Sequence, residues 1–207
     1  AFGCEEDVCP HRGPVVGGDL WSVPVPWEAR GDLGWLAALA HTWRRSLLDP
    51  WRFFQDLPPT GRGPLTYGVI VGTLGLGLGG LGIALARPEL TRPVMGLGVL
   101  ALPALLHLRL LGIAGVSWLV LLVLTGQREW DRVVQVTGYA ASVDALMVVP
   151  GFGIALAGPV AGVLRGVGLH RSTGAGLLPA LVAGLAPSFS AGLAVLGAIA
   201  AWLWVTT

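Results

Sequence analysis

Lysine is absent from the chain, and all 13 cationic side chains are arginine. With Gly, Ala, Leu, Val and Pro dominant, that bias is associated with a GC-rich bacterial genome. Charge of either sign is scarce as well: 12% of the residues are charged, about half the share of ordinary soluble domains. The 13 cations stand against 12 anions, a net charge of +1, so the basic footprint that nucleic-acid binding requires is missing and nucleic acid is excluded as an expected partner. Cysteine occurs twice, at Cys4 and Cys9. Signatures of catalysis are lacking too, with no G-x-S-x-G, no H-E-x-x-H and no clustering of Ser, His and Asp, since His41, His107 and His170 are far apart. Neither an enzyme nor a bound cofactor is expected.

What fills the space is apolar sequence. A bilayer core takes roughly 20 apolar residues per helical span, and Leu65 to Ala86 runs uncharged throughout. The chain divides near Leu57-Pro58-Pro59-Thr60-Gly61-Arg62-Gly63-Pro64. Residues 1–63 form an N-terminal segment with five of the nine tryptophans, and residues 64–207 form an almost continuously apolar part. The expected fold is all-α: a polytopic helical membrane protein of about five spans, near 65–86, 103–125, 133–149, 154–169 and 176–204. The last is expected to kink at Pro187. Val94 to Leu102 is expected as a surface lead-in to the second span, a tight helical pair being the alternative. The loop before it carries Arg87, Glu89 and Arg92.

The first residues carry Glu5, Glu6 and Asp7 rather than an apolar run, the reverse of a secretory signal, so a cytoplasmic N-terminus is expected. The chain starts at Ala1, which allows it to be the trimmed end of something longer. With that orientation the cytoplasmic side receives six arginines ahead of the first span, then Arg128, Arg132, Arg165 and Arg171, while Arg87 and Arg92 fall outside. This obeys the positive-inside tendency and points to a multi-pass protein of the bacterial inner membrane.

Within the N-terminal segment, Trp35, Leu36, Leu39, Trp43 and Leu47 recur at helical spacing, with Arg44 and Arg45 on another part of the wheel. The pattern predicts an amphipathic helix lying on the membrane, or alternatively a small soluble helical cap. Trp43, Trp51, Phe53 and Phe54 are the expected interfacial anchors, because such rings favour the headgroup level. Cys4 and Cys9 with His11 have the flavour of a zinc knuckle, but a structural zinc takes four ligands and no metal is expected.

Gly77-Leu78-Gly79-Gly80-Leu81-Gly82 matches the dinucleotide fingerprint G-x-G-x-x-G only formally, since that motif needs a strand before it and an acidic residue about 20 positions on. The glycines read better as packing. Gly68, Gly72, Gly75, Gly79 and Gly82 share one helical face and predict a groove in which another span lies, because close backbone approach at small residues supplies contact between lipid-embedded helices. Gly158, Gly162 and Gly166 repeat the spacing and are the expected counterpart. Intramembrane polar residues are His107, Arg109 and Asp144. An ionisable group at a helix centre costs roughly 2.5–3.5 kcal/mol on insertion scales. Helical rise puts Arg109 and Asp144 both about 9 Å deep, so they are expected to pair, with separate snorkelling as the alternative.

Four stretches taken in order are similar to the Yip family of membrane proteins, in its bacterial branch. They are Thr42-Trp43 followed by Leu48-Asp49-Pro50-Trp51-Arg52-Phe53-Phe54; Gly63-Pro64-Leu65; Arg132-Val133-Val134 through Gly138-Tyr139-Ala140 to Val149-Pro150-Gly151-Phe152-Gly153; and Gly168-Leu169-His170-Arg171-Ser172-Thr173. The resemblance implies a cytoplasmic N-terminus and about five spans. Eukaryotic members engage prenylated Rab-type GTPases, but Thr60-Gly61-Arg62 replaces the acidic-aromatic stretch those members carry before Gly-Pro. The expected role is a non-enzymatic membrane scaffold or adaptor whose partners are the lipid bilayer and either another protein or a second copy of the chain. The alternative is a small transporter or channel using Asp144 and Arg109.

Overall fold

A computed structural model describes residues 25–58, 63–86, 88–149 and 152–189, and among these the regular structure is entirely helical. Three short helices come first: α1 (Arg30–Leu33), α2 (Trp35–Leu48) and α3 (Pro50–Gln55). Asp49 caps α3 by accepting a bond from the backbone N–H of Arg52, and Pro50 occupies the first turn, where its missing donor costs nothing. Next come α4 (Pro64–Ala86), α5 (Pro88–Thr125), α6 (Trp130–Ala140), a 3₁₀ segment (Ala141–Val148), α7 (Phe152–Thr173) and α8 (Leu177–Phe189).

Two helices are long and apolar enough to cross a membrane, Pro64–Gly82 within α4 and Ala101–Thr125 within α5. Only 33% and 22% of their apolar windows are buried inside the protein, so most of that apolar surface faces outward. Leu78 on α4 and Leu108 and Val123 on α5 are among the exposed side chains. The expected lead-in and second span are one helix. α5 begins at Pro88 and takes Glu89 and Arg92 into it, giving a rod of about 57 Å by helical rise.

The third expected span, 133–149, is not a uniform α-helix, because α6 tightens at Ala141 into the 3₁₀ segment. The fourth, expected over 154–169, extends at both ends, so His170 to Thr173 close α7 instead of forming a connection. Gly126 and Gly174, at φ 73° and 71°, adopt the left-handed conformation that ends α5 and α7. The continuation of the fifth expected span beyond Phe189, with Trp202 and Trp204, lies outside the described residues, as do Cys4, Cys9 and His11.

Several helix ends meet at one end of the bundle. The Gln127 side chain donates to the Thr173 carbonyl, Arg132 to the carbonyls of Leu57 and Pro58, and Arg171 to the Gln55 side chain. The core there is aromatic: Phe53 packs edge-on against Phe54 and Tyr139, and Tyr139 against Tyr67. A Cβ on Gly168 would press on the Phe54 ring at 3.0 Å, so that glycine lets α7 approach α3.

Candidate functional site

The α2 helix meets the bundle through its small and polar side. Its buried residues are Ala38, Thr42, Arg45 and Ser46, while Trp35, Leu36, Trp43 and Leu48 are exposed. The small and polar face turns inward and the apolar face outward. Each inward polar group finds a partner. Thr42 Oγ1 accepts from the Trp27 backbone N–H at 2.8 Å, the Ser46 hydroxyl lies 2.6 Å from that of Ser142, and Arg45 pairs with Asp56 at 3.8 Å. Burial pushes the Arg45 guanidinium below its ordinary pKa, opposed by Asp56 and Asp49. Arg45 thus lies inside, apart from the exposed Arg44.

Ser142 ties this helix to the bundle. Its hydroxyl also lies 2.8 Å from that of Tyr67, and its carbonyl accepts from Trp43 Nε1 at 3.0 Å. Trp27 Nε1 donates to the Gly63 carbonyl at 2.9 Å, and Tyr139 donates to Glu28 at 2.5 Å. Satisfied buried networks of this kind fix one arrangement, since a lost partner leaves a costly orphan.

The expected anchors therefore divide. Trp43 and Trp51 are exposed, with Arg171 over the Trp51 ring at 4.6 Å and His170 beside it at 5.5 Å. Phe53 and Phe54, at 1% and 0% exposure, are core residues and reach no interface. Their spacing one after the other cannot reveal this, because a short helix wedged between α6 and α7 buries both rings.

The glycine groove exists, but its occupant is different from the expected one. A Cβ on Gly68 would meet the Gly138 carbonyl at 2.8 Å, and one on Gly75 the Asp144 carbonyl carbon at 2.8 Å; one on Gly79 would overlap the Met147 carbonyl. The 3₁₀ segment fills the groove, parallel to α4. A 3₁₀ helix is narrower than an α-helix, which lets its backbone carbonyls reach the α4 glycines. Gly72 faces Leu106 of α5 at 3.3 Å and the Asp144 carboxylate at 3.5 Å, and Gly82 meets nothing within 4 Å. The α7 stripe packs elsewhere: Gly162 and Gly166 receive Leu185 and Leu181 of α8, and Gly158 lies near Ser188.

The register set by that groove brings the charges together. Arg109 grips Asp144 with two bonds, at 2.7 and 3.2 Å, and the carboxylate is 2% exposed. Planar bidentate pairing is the strong form of this contact. His107 is exposed two residues away and takes no part in the pair.

A third charge escaped the sequence reading. Arg165, expected with the cytoplasmic arginines, is 5% exposed inside α7. A span ending at Leu169 puts it four residues from the surface, whereas α7 continues to Thr173 and carries it inward. An arginine within a Gly-rich apolar run was the available signal.

Among the described residues no group of His, Cys, Asp and Glu is arranged to hold a metal ion. No protein-family description, curated protein or solved structure matches the chain.

Proposed function

We propose that the chain is a five-span, Yip-type protein of the bacterial inner membrane that acts without catalysis, as a scaffold or adaptor through lipid and protein contacts. The Yip assignment rests on the four sequence stretches, and Trp43 of the first bonds to Ser142 within the third. The carrying observation is the orientation of α2, whose polar side is bound to the bundle through Ser142 while Trp35, Leu36 and Trp43 are left outward.

That outward face continues onto α4. Leu36, Leu39 and Trp43 of α2 join Val71 and Leu74 of α4 around an apolar groove of about 460 Å³. An outward apolar face beside outward apolar spans suits a helix half-immersed in acyl chains, with Arg44 on its exposed side. Meeting of the ends near Gly63, Gln127 and Thr173 supports alternating crossings with the N-terminal segment at one surface, the cytoplasmic one by arginine distribution. Being clamped rather than tethered, α2 presents a fixed platform at that surface.

Photo-crosslinking in native membranes tests the platform. A photoreactive residue at Leu36 is expected to capture lipid or a partner protein, and one at Ala38 to capture neither. Equal capture from both positions contradicts the reading. The second reading, a small transporter, draws on the Arg109–Asp144 pair; it requires a solute flux in proteoliposomes that Asp144→Asn abolishes.

A further inference from the structure

Beside the Arg109–Asp144 pair lies a cavity of about 540 Å³ between α5, α7 and α8, and both Arg109 and Arg165 line it. Arg165 is the more telling. Its Nε donates to the Gly184 carbonyl at 3.1 Å and a terminal nitrogen donates to Ser188 Oγ at 3.4 Å. Both acceptors are neutral, and among the described residues no carboxylate forms an ion pair with it. Two guanidinium groups against the single Asp144 carboxylate leave one positive charge over. The sequence from 190 onward holds no Asp or Glu, so that stretch brings no acidic side chain to offset it.

A buried charge that must share its one nearby carboxylate with a second arginine is costly, and its remaining donors need acceptors. Guanidinium forks match the oxygens of a phosphoryl group, and the Ser188 hydroxyl adds a further donor or acceptor. The rest of the lining is apolar, including Ile113, Leu185 and Phe189, and the volume lies in the usual range for ligand sites, roughly 300–1,000 Å³. A polar end opposite an apolar wall fits an amphiphile.

We propose that this cavity binds a phosphoryl oxyanion, with Arg165 as its principal contact and Arg109 as the second, delivered as the headgroup of an anionic phospholipid or as free phosphate. The site does not depend on the scaffold reading. Arg109 lines the cavity while holding Asp144, so the anion joins the charge cluster without breaking the pair.

Native mass spectrometry of the full chain in a non-ionic detergent tests this, with phosphatidylglycerol and phosphatidylcholine of matched acyl chains as probes. A parallel arm measures the melting temperature with millimolar inorganic phosphate against chloride at equal ionic strength. A single phosphatidylglycerol adduct is expected, favoured over phosphatidylcholine and about tenfold weaker in Arg165→Gln, with part of the affinity kept in Arg165→Lys. Gly158→Leu preserves every charge and takes up space at the cavity wall, where a Cβ meets only Ser188 Oγ at 3.9 Å; it is expected to weaken the adduct similarly, and it decides the matter if Arg165→Gln does not fold. Stabilisation by inorganic phosphate that displaces the lipid adduct assigns the site to the free anion. Equal adducts from both lipids without a phosphate effect, or adducts that both variants leave unchanged, overturn the proposal.

Discussion

The two glycine stripes share the i, i+4 step and differ in the atom that enters each notch first. On α4, a Cβ on Gly68, Gly75 or Gly79 would run first into a backbone carbonyl of residues 138–147, whereas on α7 a Cβ on Gly162 or Gly166 would first meet a leucine Cδ, of Leu185 or Leu181 at 2.7 Å, with α8 backbone behind it. A side chain can turn aside; a carbonyl carried on a helix moves only if the helix moves. Small residues at i and i+4 therefore announce close approach, while the cost of filling the notch depends on what has entered it.

The sharpest way to break this contrast is Gly75→Ala. Its Cβ would overlap the Asp144 carbonyl, displacing the 3₁₀ segment and with it the carboxylate that Arg109 holds. Overpacking usually costs about 1–3 kcal/mol, and this position is expected at or above the top of that range in equilibrium unfolding from detergent micelles. A recovery to wild-type stability would show that the third segment is not seated in the α4 groove.

Removal of the charge on that segment comes next. Asp144→Asn leaves Arg109 facing the cavity without its partner, and a broken buried pair costs about 3–5 kcal/mol. Because the Arg109 side chain is 37% exposed, the expected loss is discounted to roughly 2–3 kcal/mol for solvent screening. Reversing both charges, with Asp144→Arg and Arg109→Asp together, is expected to recover much of the folding that either reversal alone destroys. A double-mutant cycle without coupling removes the pair as a structural element.

Gly162→Ala should be milder, about 1 kcal/mol, provided Leu185 changes rotamer. Smallest is Gly82→Ala, at a site where a Cβ meets nothing; it is expected to be neutral or to stabilise α4 by up to about 1 kcal/mol, since glycine is costly inside a helix. Thermal unfolding of the two variants side by side checks their order. A large loss at Gly82 would mean that another element occupies the end of that face.

Much of the helical layout was readable from residue periods. The α2 helix, the long apolar α4 and its groove follow from local spacing, and depth counted along two helices makes the Arg109–Asp144 contact one of two readings, beside separate snorkelling. Choices between partners were not readable. The groove takes the segment carrying Asp144 instead of the Gly158 stripe because Ala141–Val148 tightens to 3₁₀, a change with no signature in hydrophobic period. The inward turn of Ser46 depends on Ser142, 96 positions away along the chain, and that of Thr42 on the backbone N–H of Trp27. Arg165 counts with the cytoplasmic arginines when the fourth span ends at Leu169, because helix ends are the least determined feature of an apolar run, and the same uncertainty hides the start of α5 at Pro88.

Central to the account is that the outward apolar faces of α2, α4 and α5 contact acyl chains. Spin labels at Leu36, Leu78 and Leu119 in lipid nanodiscs test it most directly. All three are expected to be reached by oxygen and shielded from a water-soluble nickel chelate, with a label at the buried Ala38 reached by neither. If the chelate reaches Leu78 and Leu119 freely, and the chain remains monodisperse without detergent, those faces lie in water and the account is contradicted.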